Sequence, residues 1–527
     1  MIFGPIPRIR RSDMNKRRIF AAFLALIMAG GFASAQGPKE VPLTLEEAIV
    51  KALKNNLNVA VEVLGPDMAE ASLSRAREIF LPRVDFDFGN DRSESPSTWW
   101  LQGSGTSISK TLDYSATVAQ QIPTGGSLRF SYFSTRSETN QLFSLINPYY
   151  RSALTFGFTQ PLLRNFGTKI TRREIRIARN SFRASESQLR STLIETVYAV
   201  EDAYWNLVYA RESLKVREQS LKLGRDLLAK TRREVEVGHT APIEVLNAEA
   251  TVAQREADIL QAEALVKRSE EVLRMIVNLP ADMPGEAASV VPADMPAFRP
   301  FAVTHDEALA KALLKRPDVE TARANIDTKQ VNFSFARNQL LPRLDLSLSY
   351  ISPGISGDRI LYLNDDPFTG IIVGKEEGSS WQALRDATKF LYKNWSVGLT
   401  LSIPIGDIVS KSNYALARID LEQSQARLKL QEQQIALEVS DAVRSVETDA
   451  KRVDAYRVAR ELAEKRLEAE MKKLGVGLTT NYFVLQYQEA LATARSQELK
   501  ALVDYNLSLA RIERVTGASL ETRNITF

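Results

Sequence analysis

Cysteine does not occur among the 527 residues of this chain, and histidine occurs only twice. The first absence removes disulfide staples, thiolate metal sites, thiol nucleophiles and lipid attachment to an N-terminal cysteine. The second leaves His239 and His305, far too distant in sequence for an HExxH-type metal pair. No metal site is expected. Charge of one sign is not in excess either. Lys and Arg number 68 against 64 Asp and Glu, a net +4, without the basic surplus of a nucleic-acid binder. Phosphate-cradling GxxxxGKS or GxGxxG loops and a GxSxG elbow are missing, so no cofactor and no catalytic constellation are expected. Long apolar runs are confined to the N-terminus.

That N-terminus reads "MNKRRIFAAFLALIMAGGFASAQ" from Met14. A basic start (Lys16, Arg17, Arg18), a short apolar core (Ile19 to Met28) and Ala33-Ser34-Ala35 form the layout of a secretory signal peptide. The apolar core falls short of the ~20 residues that a spanning helix needs. We assign residues 1–35 to the signal, with Met14 as its start. An exported chain with no further spanning helix enters a membrane, if at all, as strands.

What the chain does contain is a repeat. "LTLEEAIVKALKNNLNV" (43–59) echoes "VTHDEALAKALLKRPDV" (303–319), and "AREIFLPRVDFDF" (76–88) echoes "ARNQLLPRLDLSL" (336–348). "SALTFGFTQPLL" (152–163) echoes "WSVGLTLSIPIG" (395–406). Each half then runs into a long helix-forming stretch, a Val-Gly break and a second helix. The halves are joined by a Pro- and Ala-rich linker, 280–303. In 168–237, Leu193, Val200, Leu207, Leu214, Leu221, Leu228 and Val235 recur every seven residues, with Val197 and Tyr204 as second seam positions. Val439, Val446, Val453, Leu467 and Leu474 keep the same phase in 406–475, with Arg460 as one polar member. A sustained heptad is coiled-coil packing. Some 70 residues at ~1.5 Å each predict rods of about 105 Å.

The strands show period two. Val84, Phe86 and Phe88 alternate with Arg83, Asp85 and Asp87. Leu344, Leu346, Leu348 and Tyr350 alternate with Arg343, Asp345, Ser347 and Ser349, and 152–160 and 395–403 behave alike. One apolar and one polar face suit a lipid-facing barrel, although a half-buried soluble sheet gives the same alternation. Pro82 and Pro342 stand where helix becomes strand, and Pro161 and Pro404 where strand becomes helix. Proline stops helices and tolerates only strand ends.

With LPR before the first strand of each half, a QP or IP after the last, and "VGHTAPIEVL" and "VGLTTNYFVL" at the breaks, the chain resembles the TolC family of outer-membrane efflux proteins, from about Leu43 to Gly517. The resemblance implies a mixed α+β membrane protein with an internal tandem duplication. It implies a homotrimer in which each protomer gives four strands to one 12-stranded barrel in outer-membrane lipid, continuous with a periplasmic coiled-coil tunnel. It further implies an exit duct of a tripartite efflux or type I secretion system, working with a periplasmic adaptor and an inner-membrane transporter. A barrel-anchored structural or adhesive coiled coil is the alternative, but that needs no mirrored second hairpin and second tip.

The expected layout runs as follows. An N-terminal helical segment (36–81) leads to a first barrel segment (82–161) and a first helical hairpin (162–279). After the linker come helices (304–341), a second barrel hairpin (342–404), a second helical hairpin (405–517) and a tail (518–527). Gly238 and Gly477 are the tip turns, since glycine accepts the positive φ that ends a helix. The resemblance makes Val237, Gly238, His239, Val476, Gly477 and Leu478 adaptor contacts. It places the tip constriction at Glu244, Thr479, Phe483 and Gln486. Here the chain departs from the family, whose acidic residues after the second turn are replaced by Phe483 and Gln486. Thr479 and Leu474 replace the Arg or Tyr partners of Glu244. His239 is expected as an exposed turn residue and His305 at a helix start. A second departure is a hairpin, 114–133, around Pro-Thr-Gly-Gly. It either adds two strands, making six per protomer, or lies outside the membrane. The insertion 352–393, with a short helix at "SWQALRDATKFLY", is expected as an extracellular lid.

Overall fold

The computed structural model describes residues 40–97, 105–141, 144–279 and 289–525. The signal peptide and the first part of the linker lie outside the described residues. The elements in order are β1 (Glu40–Leu43), α1 (Leu45–Asn55), α2 (Leu57–Arg77), β2 (Arg83–Pro96), β3 (Thr106–Gln121) and β4 (Ser127–Thr139). Then come β5 (Ile146–Pro161), α3 (Thr168–Thr171), α4 (Arg173–Glu236), α5 (Ile243–Val277) and β6 (Ser289–Pro292). The second half follows with α6 (His305–Lys315), α7 (Pro317–Gln339), β7 (Arg343–Tyr362), β8 (Ile372–Glu376), α8 (Ser380–Thr388) and β9 (Asn394–Ser402). It ends with α9 (Ile408–Gly475), α10 (Asn481–Thr516) and α11 (Ser519–Thr522).

The series of elements recurs. Both α1 and α6 have 11 residues and start at a threonine cap, Thr44 and Thr304, whose hydroxyl accepts from the N–H of Glu47 and Glu307. The long helices α4 and α9 have 64 and 68 residues, rods of about 100 Å. Their returning partners α5 and α10 have 35 and 36. Nearer the sheet, α2, α4, α7 and α9 lie side by side; toward the tips the order is α5, α4, α10, α9. Four helices therefore stand abreast at both levels. The heptad stripe is the packed one: Leu193, Val200, Leu207 and Leu221 are buried, and Leu214, Leu228 and Val235 are half-buried as α4 approaches its tip. In α9, Val439, Val446, Val453 and Leu467 are buried.

The mid-section core joins both halves. Leu273 and Val277 of α5, Val503 of α10 and Leu520 of α11 pack with Tyr204 and Leu207 of α4. Strand β1 pairs in parallel with β6, so the linker returns across the start of the chain. Tyr204 pins this crossing. Its hydroxyl lies 3.0 Å from both the Leu43 carbonyl and Asp294 Oδ2, and it accepts from the Asp294 N–H. Buried Glu201, three residues earlier on the same helix, pairs with Arg523 of the tail and faces Glu513 of α10. Burial raises the Glu201 carboxyl from 4.5 to about 7, partly offset by Arg523. The folded state then holds this proton more tightly than the unfolded chain does. Its contribution to stability is full below about pH 4.5 and is lost as pH rises through about 7. The temperature of thermal unfolding should therefore fall as pH rises across that window, and Glu201→Gln should flatten the dependence; a slope unchanged by the variant would refute the assignment.

Among the described residues, all of the strands but β1 and β6 form one sheet of seven, ordered β2-β3-β4-β5-β7-β8, with β9 also on β7. The hairpin expected at 114–133 is the paired part of β3 and β4, and it enters between β2 and β5. The hairpin is thus paired with the sheet on both sides. Six long strands result, from 9 to 20 residues each, rather than four. The insertion 352–393 packs back on the sheet. Its β8 pairs with the far part of β7, and α8 lies on the sheet's face, with Ala383 and Ala387 buried over Ser152, Ser352 and Gly354. Ser352 Oγ donates to the Ala387 carbonyl at 2.6 Å, and a Cβ on Gly354 would meet the Ala383 carbonyl oxygen at 2.0 Å. Only small residues admit a helix this close.

Pro82 and Pro342 immediately precede β2 and β7, Pro161 ends β5, and Pro404 follows β9. The junctions meet in space: the Leu162 N–H donates to the Leu344 carbonyl and the Arg164 N–H to that of Pro342.

Candidate functional site at the helical tips

Both Val-Gly turns have the same backbone. Gly238 and Gly477 sit at φ 76° and 75°, with open space where a Cβ would stand, so the dihedral and not crowding calls for glycine. The Gly238 N–H donates to the Val235 carbonyl and the His239 N–H to that of Glu234. In the second turn Gly477 donates to Leu474, and Leu478 to Lys473. This doubled closure is a Schellman motif, which satisfies carbonyls that a helix end leaves bare. Pro242 then precedes α5, and Thr480 precedes α10. Val237, Gly238 and His239, like Val476, Gly477 and Leu478, are exposed. Val237 and Val476 expose 69% and 70% of their surface, unusual for valine beside a helix end.

The side chains around the two turns differ. Seven residues before each glycine stand Thr231 and Glu470. Buried Thr231 accepts at 3.0 Å from Asn481 Nδ2, which ties α4 to α10 across the halves. Glu470 accepts from Thr479 Oγ1 at 2.6 Å and from Lys473 at 3.2 Å, and these partners hold its carboxyl below the usual range. Thr479 is thus engaged with Glu470, not with Glu244. The sequence reading missed this carboxylate because it stands before the second turn, where α9 brings it beside the loop. Glu244 is half-buried, with one oxygen lacking a hydrogen-bond partner among the described residues. Phe483 and Gln486 share an exposed face of α10, and Phe483 packs edge-on with Tyr482. Leu474 is half-buried, and joins the small apolar cluster of Leu227, Ala248, Leu467, Val484 and Leu485 behind the tips. His305 begins α6, its Nδ1 3.2 Å from Asp306. Among the described residues no cluster of potential ligands could hold a metal ion.

Further up the rods lies a second cross-half contact, which periodicity could not reveal. Arg255 of α5 is buried, only 3% exposed. Its Nη1 donates to the Ser220 carbonyl of α4 at 2.7 Å and to Gln488 Oε1 of α10 at 3.1 Å; Nη2 donates to the Leu485 carbonyl at 3.2 Å. Gly224 makes room for it, since a Cβ there would lie 2.8 Å from Nη1. A glycine inside a 64-residue helix was the signal for such a close approach.

Two long helical hairpins ending in bare turns, set on a sheet with one apolar face, define the class of a membrane-anchored channel component. The comparisons agree. The family model described as "Outer membrane efflux protein" matches residues 130–279 and 308–518, and the chain belongs to that family. It is 22% identical over 520 residues to the alkaline protease secretion protein AprF of Pseudomonas aeruginosa, covering 96% of this chain and 89% of that one. Its identity to the outer membrane protein TolC of Vibrio cholerae is 25% over 355 residues, 65% and 72% of the two chains. In fold it matches the Campylobacter jejuni CmeC outer membrane channel, with a TM-score of 0.64 at 15% identity, over 90% of this chain and 85% of that. It is a TolC-type protein of the outer membrane that extends into the periplasm.

Proposed function

We propose that the protein is the passive exit duct of a tripartite efflux or type I secretion system, built as a homotrimer. A periplasmic adaptor contacts the tips, and an inner-membrane transporter supplies the energy. The observation that carries this reading is the pair of open sheet edges. Strands β2 and β9 each pair on one side only among the described residues, and they run in opposite directions. An open edge in lipid leaves backbone groups without partners, at a cost of several kcal/mol each. Copies of the chain joined β9 to β2 in antiparallel fashion pair the edges of both long strands. Mass measurement of the detergent-extracted protein should give a trimer; a folded, monodisperse monomer would sink the proposal. The exposed Val237, His239, Val476 and Leu478 are the surface offered to the adaptor, and Pro82, Pro161, Pro342 and Pro404 mark the joint between barrel and tunnel.

The constriction at the tips follows from its side chains. Carboxylates in a narrow, poorly screened pore hold multivalent cations strongly. Phe483 and Gln486 narrow the opening by bulk and hydrogen bonding instead, while Glu470 is neutralised by Lys473. Planar-bilayer recordings should show little block of the wild type by periplasmic multivalent cations. Gln486→Asp should create block through one new charge per protomer. Strong wild-type block would instead place Glu244 or Glu470 in the lumen.

A further inference from the structure

The inserted hairpin β3–β4 carries the same two-faced pattern as the strands around it. Residues directly opposite one another in a ladder point to the same face. One row crosses all six long strands: Val84, Val118, Phe130, Phe156, Tyr350 and Trp395 are successive partners. The row beside it, on the opposite face, reads Arg83, Ala119, Arg129, Gly157, Ser349 and Ser396. The apolar face is therefore continuous from β2 through the insertion to β9. A hairpin held in water would have no reason to offer Val118, Leu128 and Phe130, each 36% to 46% exposed, on the lipid side. On this same face, four residues farther along the strands, α8 covers Ser134, Ser152 and Gly354, so the rows on the tunnel side of it are the ones open to lipid.

We infer that, on the trimeric reading given above, the membrane barrel contains eighteen strands, all six long strands of each protomer facing lipid. The backbone radius is about 18 Å, against about 12 Å for a barrel of twelve strands at the same tilt.

The absence of cysteine makes the test direct. Single variants Val118→Cys and Phe130→Cys on the inserted strands, and Phe86→Cys and Val397→Cys on the flanking ones, are made in the full-length chain. Each is purified as the trimer, placed in liposomes and labelled with an environment-sensitive fluorophore. The label is quenched either by lipids brominated in the acyl chain or by iodide in water. Ser131→Cys, on the polar face, is the water-side reference. The expected result is quenching by lipid at all four apolar positions and by iodide at Ser131. Iodide quenching at Val118 and Phe130, with lipid quenching kept at Phe86 and Val397, would overturn the eighteen-strand barrel and leave the duct intact. Iodide quenching at all four would overturn the membrane assignment of the whole sheet, and the eighteen-strand barrel with it.

Discussion

Gly238→Pro or Gly477→Pro is expected to abolish export while leaving the protein in the outer membrane. Proline fixes φ near −65°, whereas the two turns stand at 76° and 75°. It also deletes the N–H that closes the motif onto Val235 or Leu474. The turn cannot form, and the exposed Val-Gly surface is displaced. The sheet lies about 100 Å away along α4 and α9, rods of 64 and 68 residues, and does not feel the change. Export of a reporter cargo, together with the amount of trimer in the outer-membrane fraction, measures both halves of the expectation. Alanine at the same positions is the control. It meets open space and incurs only the left-handed penalty of about 1–2 kcal/mol, so export should largely survive. Unchanged export in the proline variants would remove the tips from the mechanism. Equal loss of insertion would show that the turns serve folding instead.

The second large effect concerns Arg255. Its guanidinium is the main buried polar tie between the first hairpin and α10, through the Leu485 carbonyl and Gln488. Hydrogen bonds from a charged donor are worth about 1.5–3 kcal/mol each, so losing the tie removes roughly 3 kcal/mol from the arrangement that holds the hairpins together. A shift of that size moves an open–closed balance about a hundredfold. Arg255→Met keeps the volume and removes the donors, and should give trimers whose tips are open far more often. In planar bilayers this appears as higher mean conductance. Arg255→Lys should open partially, because one ammonium cannot reproduce the planar fork. Gly224→Leu should imitate the loss, since even a Cβ at that position sits 2.8 Å from Nη1. Conductance equal to wild type in both Arg255→Met and Gly224→Leu would mean that the contact is structural filler rather than a latch.

Much of this architecture is written in local periodicity, and periodicity is legible without a structure. Leu193 to Val235 at sevens, and Val84, Phe86 and Phe88 at twos, each fix which stripe of an element must leave water, whatever it packs against. The tips were legible for the same reason. A glycine between two helix-forming stretches has few uses other than a positive-φ turn, and the φ of 76° and 75° at Gly238 and Gly477 obeys that logic. The four prolines bound their strands because proline's effect depends on its own backbone alone.

What sequence could not decide depended on partners far along the chain. Whether β3 and β4 pair with the sheet or stand apart is a choice between two sets of hydrogen bonds with the same residues and the same alternation. Only the register, Val84 opposite Val118 and Phe130 opposite Phe156, distinguishes them. The resting place of α8 was hidden likewise, since Gly354 and Ser352 make a seat only once β7 and β5 lie side by side. Thr479 finds Glu470 rather than Glu244 because the turn brings back the end of its own helix before any other. In the sequence Arg255 is one charge among many in a helix-forming stretch, with nothing local to set it apart. Its burial comes from α10 closing over it and from the space left by Gly224, two features 230 and 31 positions away from it in the case of Leu485 and Gly224. Periodicity determines which face of an element leaves water; only the three-dimensional assembly determines which polar groups meet there.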